Sequence, residues 1–424
     1  MNKKLSSLVL SGLIVLNSTY YLGNVYADNN NQPKELTKNE DTKSTKVVYL
    51  QRGEGGMNEG DGSASRPYQN IRTALKNIKD GETLKLVGTV VYTEYDQHVT
   101  GGAKPLIINK NITIEGESGA SLYLRAPIQL GADVTFKNIK LEMVPETKLS
   151  GIDHDTARSA TIYVAGHKLT LDNVNTRVGT NLDQQNDRPY ISGGAFEGEK
   201  VYIKPDSTRA KSVINIINPN GETKFSAIYA GDYYKDRDLD VEINIDGKVL
   251  DNKIYTGGYN HKLNGDVTVN LGTKSNIHKF DKTNHNGNLD VKLNQGVNNV
   301  EFDAKGIRNL TLEEKSRILL AKDATFDVDN VVLKNDAAID FRDMTANNPT
   351  VKGNFKGESN VDASRKGGAI LLNNNQTLEI KGELSGTTRL NNRGPEFVHT
   401  FLDNHVYVKA DLNSKGTLSI EDSI

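Results

Sequence analysis

The chain has no cysteine and no tryptophan in its 424 residues. Without cysteine there is no disulfide framework, no thiolate metal site and no cysteine nucleophile. Such a chain holds together by burial and backbone ladders alone. An excess of charge of one sign is also lacking, since 52 Lys and Arg face 54 Asp and Glu. That balance leaves no electrostatic footprint for nucleic acid or for an anionic membrane surface. Past the N-terminus no segment approaches the length of a membrane span. Hydrophobic residues make up only 36% of the chain and glycine occurs 38 times, which suits thin cores and many turns.

What is present begins with an export signal. Lys3-Lys4 form a basic start, and Leu5 to Leu16 form a short apolar run. Val25-Tyr26-Ala27 then places small residues ahead of Asp28. This pattern predicts a signal peptide over residues 1–27 and a secreted or cell-wall-associated product with no membrane span after cleavage. Residues 28–45 carry almost no apolar side chains, so they are expected to form a disordered leader. No later change in composition marks a second domain, and residues 46–424 are expected to form one.

Residues 60–92 hold the one convincing amphipathic helix. Tyr68, Ile71, Leu75 and Ile78 share a face, with Ala74 beside them. Asn70 suits the N-cap, and Asp80-Gly81 offers a stop at which glycine takes a positive φ. The period then switches, with Leu84, Leu86 and Val90 alternating, while Val47–Leu50 reads as a first strand. A single short helix ahead of a long run of strands suits a lid on the open end of a solenoid, which otherwise exposes core and unpaired edges.

Gly60-Asp61-Gly62-Ser63, Arg66-Pro67-Tyr68, Ile71, Ala74 and Asp80-Gly81-Glu82-Thr83-Leu84 resemble the N-terminal cap of the pectate-lyase-like superfamily. The resemblance implies an all-β fold, a right-handed parallel β-helix with a short N-terminal capping α-helix. That superfamily includes polysaccharide lyases, glycoside hydrolases and non-catalytic adhesin regions like those of Gram-positive secreted and surface proteins. The resemblance therefore implies architecture and leaves the activity open.

Strand-turn phrases recur along the chain. Ile112-Thr-Ile114, Val134-Thr-Phe136 and Leu169-Thr-Leu171 are spaced by 22 and 35 residues, the longer interval pointing to an insertion near Pro145–Arg158. Asparagines near the bends are expected to pair along the stack. The clearest repeat sets Ala227–Tyr233 (AIYAGDY) on Lys253–Tyr259 (KIYTGGY) at an offset of 26, which also places Asp240 on Asp266. A shorter copy follows at Asn286-Gly287-Asn288-Leu289, and Tyr190-Ile191-Ser192-Gly193-Gly194 has the look of an earlier one. Beyond Val300 the phrases continue at Leu310–Leu312, Phe326–Val328, Ile339–Phe341, Ile370–Leu372, Leu378–Ile380 and Leu418–Ile420. Their register is open; Glu313–Leu320 reads as a helical turn or two and Arg342–Thr350 as a loop.

The search for chemistry follows the superfamily's enzymes. The resemblance implies either calcium held by carboxylates with a basic residue, or paired aspartates. Asp153-His154-Asp155 is the best cluster, but only Asp153 and Asp155 share a strand face, with Arg158 or Lys168 as the basic candidate. A solvated polar loop explains it as well. Asp236, Asp238 and Asp240 alternate, yet Lys235 and Arg237 intervene and Asp240 falls on a repeat position, which favours a turn role. Asp61 reads as a turn residue. The eight histidines (98, 154, 167, 261, 278, 285, 399 and 405) form no zinc motif, and Ser192-Gly-Gly lacks the nucleophile-elbow pattern.

Tyr229, Tyr233, Tyr234, Tyr255 and Tyr259 occupy equivalent places in successive coils and are expected to stack. They form either a platform for sugar rings or a partner, or a set of rings packed at the coil corners. The function expected is that of a secreted, non-catalytic module binding glycans or a host surface protein, with no cofactor assigned and calcium left open. The alternatives are a polysaccharide lyase or glycoside hydrolase, and the N-terminal structural part of a larger secreted enzyme, suggested by the strand-like ending Leu418–Ile424.

Overall fold

The computed structural model describes residues 46–52, 59–92, 105–124, 126–143, 161–176, 190–222, 225, 227–249, 252–344, 348–358, 368–372, 377–391, 407–409 and 416–420. The expected signal peptide, leader and 145–158 insertion lie outside them. The described residues form a right-handed parallel β-helix. All paired strands are parallel, in sheets of twenty-one, seven and four strands.

An early coil shows how the sequence produces this. Ile112–Gly116 joins the long sheet, Ser121–Leu124 the four-stranded one and Ile128–Leu130 the seven-stranded one, and Val134–Lys137 then returns beside Ile112–Gly116. Alternation sends every second side chain inward. Ile112, Val134, Leu169, Ile214, Ile243, Val269, Val291, Leu310, Val331 and Phe355 therefore form one continuous inward column. All ten are buried. Burying each such side chain contributes about 1.5–3 kcal/mol, so a solenoid with a narrow core gains its stability coil by coil.

The repeat register matches the sequence. Val241, Val267 and Leu289 are successive partners, and Tyr190, Ala227 and their neighbours pair as the earlier copy. Past Val300 the coils shorten: Val291 pairs with Leu310 and Leu310 with Val331, at spacings of 19 and 21. Glu313–Leu320 is not helical. Lys315 takes a left-handed φ of 60° and Arg317–Leu320 is a strand, because Ile318 and Leu320 alternate into the core.

The helix Ile71–Asn77 closes the N-terminal end against Val47–Leu50, burying Ile71, Ala74, Leu75 and Ile78. Asn70 caps it, accepting from the Arg72 N–H at 2.8 Å and the Thr73 N–H at 3.3 Å. The helix ends at Asn77, where Ile78 turns extended. Asp80, expected to end it, instead starts a ladder between coils by accepting the Asn111 N–H at 2.7 Å. Asn111 accepts from the Asp133 N–H at 3.1 Å, and Asp133 from the Lys168 N–H at 2.8 Å. The device returns at Asp240, which accepts from the Asp266 N–H at 2.9 Å, and at Asp266, which accepts from the Asn288 N–H at 3.0 Å. Outward amides add a second ladder: Asn270 donates to Asn244 at 2.6 Å, Asn244 to Asn215 at 2.7 Å, and Asn215 to Thr170 at 3.1 Å.

These carboxylates make the stack acid-sensitive. Burial is the largest influence on Asp266 and pushes its carboxyl up, but the Asn288 hydrogen bonds with Arg308 and Arg209 outweigh it and hold the group below its ordinary range. Asp340 behaves likewise, with burial overcome by Arg342 and Arg317. A carboxyl depressed in the folded state stabilises it above the unfolded value, and that contribution is lost as pH falls through the folded one. Urea midpoints are expected to stay level through neutral pH and to fall below about pH 4. A midpoint unchanged into strong acid would contradict the ladder account.

Candidate binding face on the seven-stranded sheet

The seven-stranded sheet is built from three-residue strands, among them Thr161–Tyr163, Tyr190–Ser192, Ala227–Tyr229 and Lys253–Tyr255. Ile162, Ile191, Ile228 and Ile254 point into the main core. The alternation turns Tyr163, Ser192, Tyr229 and Tyr255 outward as one column of cross-strand neighbours. Outward residues of a lone sheet meet solvent, yet Tyr163 is 0% and Tyr229 7% exposed. The loops that follow the strands cover them. Phe196, Tyr233 and Tyr234 fold back over the sheet and build a second, smaller apolar cluster outside the helix.

Its rings pack in defined pairs. Tyr229 stacks on Tyr255 at 4.6 Å between centroids, and Tyr233 on Tyr259 at 5.4 Å. The two stacks meet edge to face, with Tyr229 and Tyr233 5.3 Å apart at 67°. Tyr163 extends the cluster toward Phe196 and Tyr234, at 5.6 Å and 6.1 Å. Burial, the largest influence, pushes the Tyr163 phenol far above its ordinary pKa. Such aromatic pairs contribute about 0.5–1.5 kcal/mol each beyond the area they bury.

The repeat's glycines let the covering loops lie this close. A Cβ on Gly231 would stand 2.5 Å from the Gly258 nitrogen, and one on Gly194 would stand 2.7 Å from the Asp232 Cβ. A buried ion pair then locks the loops together. Asp232, fully buried, pairs with the Arg237 guanidinium. Its carboxylate also accepts the Tyr234 N–H at 2.7 Å and the Ala195 N–H at 3.3 Å, while its carbonyl accepts the Tyr259 N–H at 3.1 Å. One residue, through its carboxylate and its main-chain carbonyl, thus ties together the loops after three successive strands.

The five expected tyrosines do come together, with unequal roles. Tyr229 and Tyr233 are buried, Tyr234 and Tyr255 are half-buried, and Tyr259 is 46% exposed. Tyr259 packs on the cluster, next in the chain to exposed Asn260 and half-buried His261, and the Lys253 ammonium sits 4.1 Å from the Tyr255 ring centre. Sequence reasoning missed Tyr163, Phe196, Asp232 and Arg237. A signal existed for Tyr163, since Ile162-Tyr163-Val-Ala-Gly166 echoes Ile228-Tyr229-Ala-Gly231, but the irregular spacing hid it.

The other candidates stay apart. Asp153, His154, Asp155 and Arg158 lie outside the described residues, and Lys168 is exposed with Asp133 4.0 Å away. The strand of Asp240 begins only at Leu239, so Asp236 and Asp238 precede it and share no strand face with it. Asp238 and Asp240 both meet Arg209, at 2.7 and 3.1 Å, and Asp236 receives the Lys262 N–H at 2.7 Å. Asp61 is a turn residue that accepts the Ser63 N–H at 2.9 Å. His285 is buried between Thr256 and the Gly265 carbonyl, both at 3.0 Å, and burial lowers its pKa. Among the described residues no three His, Asp or Glu side chains converge as metal ligands, and no helix is long and apolar enough to cross a membrane.

Fold and face together define a right-handed parallel β-helix that covers one outer sheet with a tyrosine-rich cluster. No family model, curated protein or solved structure matches the chain.

Proposed function

We propose that the protein is a secreted or cell-surface binding module that holds a glycan against Tyr259 without transforming it. The observation that carries this reading is the exposed Tyr259 ring held in place by the buried Tyr233 beneath it. A stacking ring that is already immobile loses little freedom when a sugar face lies on it. Its hydroxyl is a polar partner on the ring itself, and Asn260 and His261 follow it in the chain. Export rests on the basic and apolar pattern of residues 1–27.

The test is a glycan-array screen of the mature chain and its Tyr259→Ala variant, with an assay for new reducing or unsaturated ends on every glycan that binds. The expected result is binding without turnover, weakened about tenfold or more by Tyr259→Ala, as loss of one stacking ring implies. Turnover would instead favour the lyase or hydrolase reading and direct attention to Asp153 and Asp155. Binding of a protein but of no glycan would move the ligand class while keeping Tyr259 as its seat.

A further inference from the structure

A groove lies where the long sheet turns into the four-stranded one. Of three successive coils, two make this turn alike and one differs. From Lys137 to Lys140 and from Asp172 to Asn175 the chain turns through two residues, with Asn138 and Asn173 in the left-handed region at φ 52° and 53°. The preceding coil takes five residues, 116–120, to pass from Glu115 to Ser121, though its strands pair in register with Lys137 and Lys140. Its extra length stands out as a wall, closed by the Ala120 N–H bonded to the Glu117 carbonyl at 2.9 Å. Behind the wall is a groove of about 600 Å³. Gly116 forms its root, since a Cβ there would meet the Asn138 carbonyl oxygen at 2.6 Å.

The lining is polar and balanced. The Asn173 side-chain amide donates to the Asn138 side-chain oxygen Oδ1 at 2.8 Å along the floor, which leaves the Asn138 amide N–H2 and the Asn173 side-chain oxygen without partners among the described residues. On one flank Lys85 and Glu115 pair at 3.0 Å and neutralise each other. Glu117 on the wall and Lys140 on the opposite flank are exposed, and neither has an ion-pair partner among the described residues. Two cations and two carboxylates line the groove, so it offers no net field to an anionic ligand. Among the described residues no aromatic ring lines it, and its apolar lining residues, Ile139 and Ala120, are themselves buried, so it does not suit a hydrophobic ligand. Amide, carboxylate and ammonium groups spaced along three coils, at about 4.8 Å per coil, match a ligand with hydroxyls repeating along a chain.

We propose that this groove binds a neutral oligosaccharide segment lying along the helix axis, hydrogen-bonded by Glu117, Lys140, Asn138 and Asn173. The site is separate from the Tyr259 face and does not depend on it.

The experiment is saturation-transfer NMR and calorimetry on the mature chain with cellotetraose, mannotetraose and xylotetraose, and with tetragalacturonate as the charged probe. A Glu117→Ala/Lys140→Ala double variant and Tyr259→Ala are run alongside. Both groove residues are exposed and without ion-pair partners, so the double variant is expected to keep the wild-type melting midpoint. The expected result is binding of at least one neutral tetrasaccharide that weakens about tenfold or more in the double variant, through loss of its charged hydrogen bonds, and is unchanged in Tyr259→Ala. Binding of none of the three, preference for tetragalacturonate, or equal binding by the double variant would overturn the proposal. Loss in Tyr259→Ala alone would support the aromatic face and overturn the groove.

Discussion

Asp232→Ala is expected to lower the unfolding free energy of the region around the aromatic cluster by about 3–5 kcal/mol, because it strands a buried guanidinium. Arg237 is only 6% exposed and loses its counter-charge, retaining one long contact with the Glu199 carbonyl at 3.4 Å. The Tyr234 and Ala195 N–H groups lose their acceptor in the same substitution. Guanidinium titration gives the stability, and hydrogen exchange at residues 193–199 and 230–238 locates the loss. Adding Arg237→Met to Asp232→Ala removes the stranded charge and is expected to restore most of the difference. A loss below about 1 kcal/mol in Asp232→Ala would show that the ion pair does not lock the loops.

Tyr233→Ala carries the second large effect. The ring is 1% exposed and packs against Tyr163, Tyr190, Tyr229 and Tyr259, at 6.3, 6.4, 5.3 and 5.4 Å. Removing a buried aromatic ring deletes its transfer free energy and leaves a cavity, at a cost of about 3–5 kcal/mol. Because the cluster lies outside the main core, the loss is expected to appear as early exchange of the covering loops, with the inward column from Ile112 to Phe355 still protected. Tyr233→Phe keeps the ring and is expected to retain most of the stability. Uniform loss of protection along the stack would mean that the outer cluster and the core unfold as one unit.

The architecture was legible because its signal is periodic. Alternation in Val134-Thr-Phe136 or Leu169-Thr-Leu171 has one meaning once the coils stack, and the offset between Tyr229 and Tyr255 is the register itself. The cap was legible for the same reason, since Asn70 and the Ile71, Leu75 and Ile78 face are local features. The candidate face was legible only in part. Sequence grouped the five tyrosines, but their burial depends on loops that return over the sheet, and the residues that hold those loops are far apart in the chain. Asp232 and Ala195 are 37 positions apart, the offset of the weak Tyr190–Gly194 echo, which gives the register of the strands but not the contact between the loops that follow them. The Glu313–Leu320 segment went the other way: it read locally as a helical turn or two, while Ile318 and Leu320 pair with strands of the neighbouring coils.

The central claim is a division of labour within one aromatic cluster, in which Tyr233 supports and Tyr259 binds. The most direct test measures both properties on both variants: unfolding stability and affinity for the array glycan that the Glu117→Ala/Lys140→Ala variant still binds best, for Tyr259→Ala and Tyr233→Phe. The account predicts that Tyr259→Ala stays folded with a modest loss of about 1–3 kcal/mol from its contacts with Tyr229 and Tyr233 and loses about tenfold or more in affinity, while Tyr233→Phe keeps its affinity and most of its stability. Full affinity in a folded Tyr259→Ala protein would contradict it, and the tyrosines would then be a structural cluster with no ligand of their own.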